Sequence, residues 1–250
     1  MNEQYNVICE VYDELSGVDT DVWADYLCKL IKQHSEIPTE LVLDAACGTG
    51  KLTQAMSDRG YDMTGIDISC GMLSIARQRC SPDVLLLNQD ICDFELYGTV
   101  SAVICCLDSV NYLTFNDVER FLKCCHLYID PNGLLIFDVN TEYKFKNIYA
   151  DNDYILENAD GSSLLAWSCN YDSEARRCLF SLTLFTEEEN GTYSRQDEQQ
   201  TEYCHSHTKL VRLIEQCGFH LLEAYDELSF EPVKSDSHRC HYICKNIKEN

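Results

Sequence analysis

The stretch Leu41-Val42-Leu43-Asp44-Ala45-Ala46-Cys47-Gly48-Thr49-Gly50 constrains this chain more than any other. It opens as an apolar run of strand length and closes in small residues and two glycines. Lys51 to Arg59 has helical composition and stops at Gly60, a residue type suited to the position after a helix. Strand, glycine turn and helix together let a ligand approach the backbone at a helix N-terminus. A dinucleotide fingerprint would need a third glycine at position 53, which is Thr53. A phosphate-binding loop would need Gly-Lys-Ser/Thr, but Gly50-Lys51 is followed by Leu52.

Further units repeat the pattern. Tyr61 to Asp67 reads as a second strand, followed by Ser69 as an N-cap and a helix near Gly71–Cys80. Apolar runs at Val84–Leu87 and Val100–Leu107 follow. A helix is expected from Asn116, with Glu119 placed for a capping-box contact and Val118, Phe121, Leu122 and Cys125 as its inner stripe. The turn Asp130-Pro131-Asn132-Gly133 launches a fifth strand, Leu134–Asn140. Upstream, Asp19 or Thr20 caps a helix whose inner face carries Trp23, Leu27, Leu30, Ile31 and His34. Strands alternating with helices predict an α/β, doubly wound, Rossmann-like sheet of seven mostly parallel strands, closed by Phe219–Asp226 and His238–Lys245. Ligands of such sheets sit beyond the carboxyl ends of the strands, where Asp44, Asp67, Asp90, Asp108 and Asp138 all fall.

After Tyr149 the pattern changes to short, partly alternating runs at 163–171, 178–186 and 192–202, separated by turn signals. They predict a three-stranded antiparallel insert over residues 152–204, with 1–151 and 205–250 forming the main domain. Glu187, Glu188 and Glu189 read as its solvated tip.

The 250 residues carry 19 Lys and Arg against 42 Asp and Glu, a net charge of −23. That balance repels a phosphate backbone, so no nucleic-acid partner is expected. Neither a bilayer-length apolar run nor a signal peptide is evident, which points to a cytoplasmic protein without a membrane partner. The sixteen cysteines then read as reduced thiols, many of them core residues. In His238-Arg239-Cys240-His241-Tyr242-Ile243-Cys244, strand alternation separates His241 from His238, Cys240 and Cys244, so no metal is expected.

The order Asp-x-x-Cys-Gly-Thr-Gly resembles the first motif of the class I S-adenosylmethionine-dependent methyltransferases. Tyr12-Asp13-x-Leu15 with Trp23, Cys105-Cys106-Leu107-Asp108-Ser109-x-Asn111-Tyr112, and Phe137-Asp138-x-Asn140 resemble further motifs of a bacterial small-molecule branch with a β insert after strand five. That branch is related in plan to sugar N-methyltransferases and glycine N-methyltransferase. One departure is slight: many relatives carry a bulkier residue just after the motif's aspartate.

The resemblance implies S-adenosyl-L-methionine as cofactor, released as S-adenosyl-L-homocysteine, and methyl transfer to a nitrogen or oxygen of a small molecule. It places Ala46, Cys47, Gly48 and Gly50 along the methionine moiety, with Asp44 beneath. Asp67 would take the ribose hydroxyls, and its position at the tip of the second strand suits that task independently. Ile68 and Met72 would pack on the adenine, Asp90 and the Ile91 amide would meet its edge, and Cys106 and Leu107 would offer a carbonyl to the ammonium. Tyr12 joins them as a lid over the cofactor. Tyr5, Trp23, Asp108, Asn111, Tyr112 and Asn140 are the expected acceptor-facing residues, with Asp108 and Tyr112 the candidates for catalysis. The competing functions are an RNA or protein methyltransferase, an NAD-dependent oxidoreductase and a non-catalytic S-adenosylmethionine-binding regulatory module. Monomer and homodimer are equally compatible with the sequence.

Overall fold

In the computed structural model, which describes residues 7–248, the centre is the strand Val100–Cys105, all six residues buried. The first five strands are β1 (Leu41–Ala45), β2 (Asp62–Asp67), β3 (Leu85–Asn88), β4 (Val100–Cys105) and β5 (Ile129–Asn140). A separate group follows, β6 (Asp153–Glu157), β7 (Ser163–Asp172), β8 (Arg177–Glu187) and β9 (Tyr193–Tyr203), and the chain ends with β10 (Phe219–Asp226) and β11 (Arg239–Asn246). The main sheet has seven strands in the order β10-β11-β5-β4-β1-β2-β3. Only β11 runs against the direction of the other six strands.

Alternation along these strands builds two layers. Val42, Ala102, Ile104, Leu134 and Ile136 face one side and pack on α2 (Thr20–His34) and α3 (Lys51–Ser57). Leu43, Val103, Cys105, Leu135 and Phe137 face the other and pack on α5 (Phe115–Tyr128) and α7 (His207–Gln216). The remaining α-helices are α1 (Tyr12–Leu15), α4 (Cys70–Arg79) and α6 (Glu142–Lys144). Asp19 caps α2 through the Asp21 and Val22 amides, and Ser69 caps α4 through the Met72 amide.

Three boundaries differ from expectation. Thr114, not a residue near Asn116, caps α5, accepting from the Asp117 amide while its hydroxyl bonds the Asp117 carboxylate. The Asp130–Gly133 turn lies inside β5 as an outward loop, because pairing with β4 runs from Val100↔Ile129 directly to Ala102↔Leu134. The antiparallel sheet has four strands in the order β6-β7-β8-β9, not three. The extra strand, β6, is a five-residue edge whose alternate residues are exposed.

That second sheet turns one face inward. Leu165, Leu182 and Leu184 pack on Ile8 and Leu15, and Cys169, Cys178 and Phe180 pack on Phe145 and Tyr149. The N-terminal segment thus lies against the insert.

Candidate functional site

The turn after β1 is held by backbone and one carboxylate. Ala46, Gly48 and Gly50 all have positive φ, which costs little for glycine and more for alanine. The Cys47 amide donates to the Ile66 carbonyl at 3.0 Å and the Gly48 amide to Asp67 Oδ2 at 2.9 Å. The other Asp67 oxygen accepts from the Ser69 amide at 2.8 Å. Burial raises the Asp67 carboxyl above its ordinary range, partly countered by these amides. The two glycines serve different ends. A Cβ at Gly50 would stand 2.7 Å from Cys80 Sγ and 2.9 Å from Ala76 Cβ, so this glycine lets α4 approach. A Cβ at Gly48 would meet nothing within 4 Å, because that position faces an open crevice.

The crevice, about 380 Å³, lies over the carboxyl ends of the parallel strands. Ala46, Cys47 and Gly48 line it from the first turn, and Asp67, Ile68 and Met72 from the second unit. Asp90 and Ile91 follow β3, Cys106 and Leu107 follow β4, and Tyr12 closes over from α1. Asp44 and Gly50 do not line it. Asp44 is buried beneath the turn, accepts from the Thr53 hydroxyl at 2.6 Å, and is pushed up to about 7 by burial. The α1 segment is fastened by Asp13, which accepts from the Thr49 hydroxyl at 2.8 Å and pairs with Arg79 at 2.5 Å. Arg79 in turn donates to the Thr49 carbonyl at 2.7 Å.

A second cavity, about 350 Å³, adjoins the first and shares walls with it at Tyr12, Ser16, Val18, Leu107 and Tyr112. It lies between the end of β4 and the inner face of the antiparallel sheet. Leu107 and Asp108 both adopt left-handed backbone conformations (φ 60° and 58°), an arrangement that needs outside support in non-glycine residues. Asp138 supplies it: its two oxygens accept from the Leu107 and Asp108 amides at 2.8 and 2.9 Å. Arg239 bonds Asp138 and also reaches Asp108 at 3.2 Å, and Asn140 Nδ2 donates to Asp108 at 3.0 Å.

Of the expected acceptor-facing residues, Asp108 and Tyr112 line this cavity. Tyr112 donates to Gln200 Oε1 at 3.2 Å. Asn111 lines neither cavity; fully buried, it donates to the Tyr203 carbonyl and accepts from the Asn140 amide. Asn140 is likewise fully buried and stands behind the wall, bonded to Asp108, Glu202 and Lys144. Trp23 packs behind Arg239 and against His241, away from both spaces. Tyr5 lies outside the described residues.

Sequence reasoning missed Lys144, Trp167, Glu202 and Arg239, all of which line the second cavity. Arg239 had a signal, since a lone arginine in an apolar strand that meets the acid-bearing β5 needs a carboxylate partner. Glu202 had none, because alternation in β9 does not say which face is covered. Among the described residues no group of three or more His, Cys, Asp or Glu could hold a metal ion, and no helix is long and apolar enough to cross a membrane.

Comparison with known proteins agrees with this architecture. Residues 42–133 match the model of a family described as a methyltransferase domain. The chain is 29% identical over 250 residues to YqeM of Bacillus subtilis (strain 168), a methyltransferase-family protein, covering 98% of each. It is 33% identical over 135 residues, 52% of each chain, to the dTDP-3-amino-3,6-dideoxy-alpha-D-glucopyranose N,N-dimethyltransferase of Streptomyces fradiae. A crystal structure of an S-adenosylmethionine-dependent methyltransferase from Clostridium acetobutylicum ATCC 824 superposes with a TM-score of 0.85 at 25% identity, over 98% of this chain and 99% of that one. By fold the chain is therefore an α/β, Rossmann-like protein of the methyltransferase type, and residues 42–133 are similar to a methyltransferase domain.

Proposed function

We propose that the chain transfers a methyl group from S-adenosyl-L-methionine to a small molecule held in the second cavity, with the antiparallel sheet as a cap over the acceptor. The observation that carries this reading is the pair of adjoining cavities sharing Tyr12, Ser16, Val18, Leu107 and Tyr112.

The crevice suits the cofactor. Asp67 keeps acceptor capacity on both oxygens for a ribose diol, since each carboxylate oxygen has two lone pairs and only one amide donates to each. Asp90 and the Ile91 amide stand at the end of β3 where an adenine edge would lie, with Ile68 and Met72 on its face. The open face of the turn at Ala46, Cys47 and Gly48 leaves room for the amino-acid end. Bound there, the cofactor supplies an electrophilic methyl group on a sulfonium.

What remains for the protein is to hold the acceptor in line and keep water away, and such positioning is worth about 7–11 kcal/mol in good cases. Tyr12, Leu107 and Tyr112, placed where the two spaces meet, are the residues that set this alignment. Asp44 acts from beneath by fixing the turn through Thr53 rather than by contact with the ligand. A net charge of −23 disfavours RNA as the acceptor, and the amino-sugar relative supports a small one.

Titration calorimetry with S-adenosylmethionine, S-adenosylhomocysteine and NAD tests the reading. Binding of the first two and silence toward the third is expected; NAD binding with no response to either sulfur nucleotide overturns it.

A further inference from the structure

We propose that Glu202 takes the proton from an ammonium group of the acceptor, and hence that the acceptor is an amine on a small apolar or aromatic body. This rests on the second cavity being the acceptor chamber, and it adds which functional group is methylated and how that group is made nucleophilic.

The chamber has two unlike walls. Leu156, Leu165, Trp167, Phe180 and Leu182, from three neighbouring strands, form one of them. They suit an apolar or aromatic surface and offer little to a phosphate or a bare sugar. Polar groups gather at the other side, where β9 faces the end of β4: Gln200 and Glu202, with Asp108, Lys144 and Arg239.

Within that polar group the charges do not balance. Three carboxyl groups, Asp108, Asp138 and Glu202, meet two cations, Arg239 and Lys144. Arg239 is committed to Asp138 and Asp108. Lys144 donates to Asn140 Oδ1 at 2.9 Å and stands 5.0 Å from the centre of the Tyr149 ring. Asp108, Lys144, Arg239 and Tyr149 all face Glu202, yet among the described residues no cation forms an ion pair with it. Glu202 is 1% exposed, and its Oε2 accepts from Asn140 Nδ2 at 2.9 Å. Among the described residues its Oε1 makes no hydrogen bond. Burial, reinforced by Asp108, raises this carboxyl well above its ordinary range. A buried carboxyl with one open oxygen and no cation in direct contact among the described residues, on the wall of a ligand-sized space, is a place for one cation.

An ammonium cannot attack a methyl group because its lone pair is held by a proton. Beside Glu202 the same desolvation that raises the carboxyl lowers the ammonium, and both effects move the proton from nitrogen to Oε1. The pair R–NH3+ and carboxylate becomes R–NH2 and carboxylic acid. The neutral nitrogen then forms a bond to the methyl carbon as the carbon–sulfur bond breaks, with that electron pair left on sulfur. The product leaves as a methylammonium and Glu202 keeps the proton it took from nitrogen, so the one proton lost per turnover is the one Glu202 gave up to solvent as the ammonium entered.

The test uses 2-phenylethylamine, longer arylalkylamines and the alcohols of the same carbon skeletons with the whole protein. In the cofactor-free protein at pH 7, calorimetry in two buffers of different ionisation enthalpy should show about one proton released per amine bound, and none for the alcohols. In turnover with S-adenosylmethionine, the amines should be methylated. Glu202→Gln should lower kcat/KM by about 100-fold at pH 7, the scale of a lost proton acceptor. That loss should shrink as the pH approaches the amine's own pKa, about 10. Glu202→Asp should recover part of the neutral-pH rate, and both variants should keep their affinity for S-adenosylhomocysteine. A loss equal at every pH marks a structural role and overturns the proposal. So does methylation of the alcohols alone, or S-adenosylhomocysteine binding with no amine bound or methylated. Failure to bind either sulfur nucleotide would instead refute the reading of the crevice.

Discussion

The two cavities meet at Tyr12, Ser16, Val18, Leu107 and Tyr112 but are built by different means. Around the crevice, backbone amides and short turns do most of the shaping, and their partners lie close in sequence, as with Gly48 and Asp67, 19 residues apart. The second cavity, the proposed acceptor chamber, is shaped by side chains from distant segments. Arg239 reaches Asp108 across 131 residues, and Asn140 reaches Glu202 across 62. A crevice made of backbone suits a ligand shared by a whole family, because a substitution leaves most of its contacts in place. A chamber made of side chains can be refitted residue by residue, which is where selectivity for one acceptor can reside.

The largest effect should come from separating the two outright. Replacing residues 152–204 by a short Gly-Ser linker should leave cofactor affinity within a few-fold while abolishing transfer to the acceptor. Normal turnover by that variant would assign the second sheet another task, such as dimerisation.

Next is the joint between them. Arg239→Met leaves Asp108 and Asp138 without their cation in a buried place, which costs about 3–5 kcal/mol. Urea denaturation should show that loss, and a change below about 1 kcal/mol would mean that water reaches these acids.

Asp67→Ala probes the crevice side alone. Cofactor affinity should fall by about 1–3 kcal/mol, the scale of charge-assisted hydrogen bonds, and binding of an acceptor to the cofactor-free protein should not change. Because Asp67 also holds the Gly48 and Ser69 amides, some loss of thermal stability should accompany it. Unchanged affinity would place the ribose elsewhere.

The smallest effect is a slope. Folded Asp44 sits at about 7 against an ordinary value of 3.8, so between those values the folded chain keeps a proton that the unfolded chain has lost. Stability from this group is present below about pH 4 and is lost as the pH rises toward 7. Asp44→Asn, which can still accept from Thr53, should remove that fall. Wild type and variant should diverge by up to about 1.4 kcal/mol per pH unit near pH 5–6. His241 works in the opposite sense. Burial lowers its ring to about 4, so its contribution is lost as the pH falls from about 6.5 through 4. The comparison of the Asp44 pair at each pH leaves that second effect unchanged in both proteins.

Much of this was legible from the chain alone. The alternation of apolar runs and helical stripes gave the seven-stranded sheet, because strand period and helix period are local properties. Asp19 and Ser69 were readable as caps, since a cap is satisfied within three residues. That Gly48, Asp67 and Asp90 line one crevice was legible for the same reason: they follow strand ends, and strand ends in a doubly wound sheet converge on one edge. The Thr114 cap is equally local, but Thr114-x-x-Asp117 and Asn116-x-x-Glu119 carry similar signals, so local pattern does not choose between them.

Only the tertiary structure decided the rest. Two of the residues expected at the acceptor, Asn111 and Asn140, are buried struts between the sheets, and Trp23 is a support behind Arg239. The edge strand β6 depends on pairing with β7, which a five-residue run cannot announce. Glu202 became a buried carboxyl, without an ion pair among the described residues, only because the second sheet folds its inner face onto the end of β4. Local sequence fixes periodicity and turns, but the burial of a charge is set by which distant surface comes to cover it.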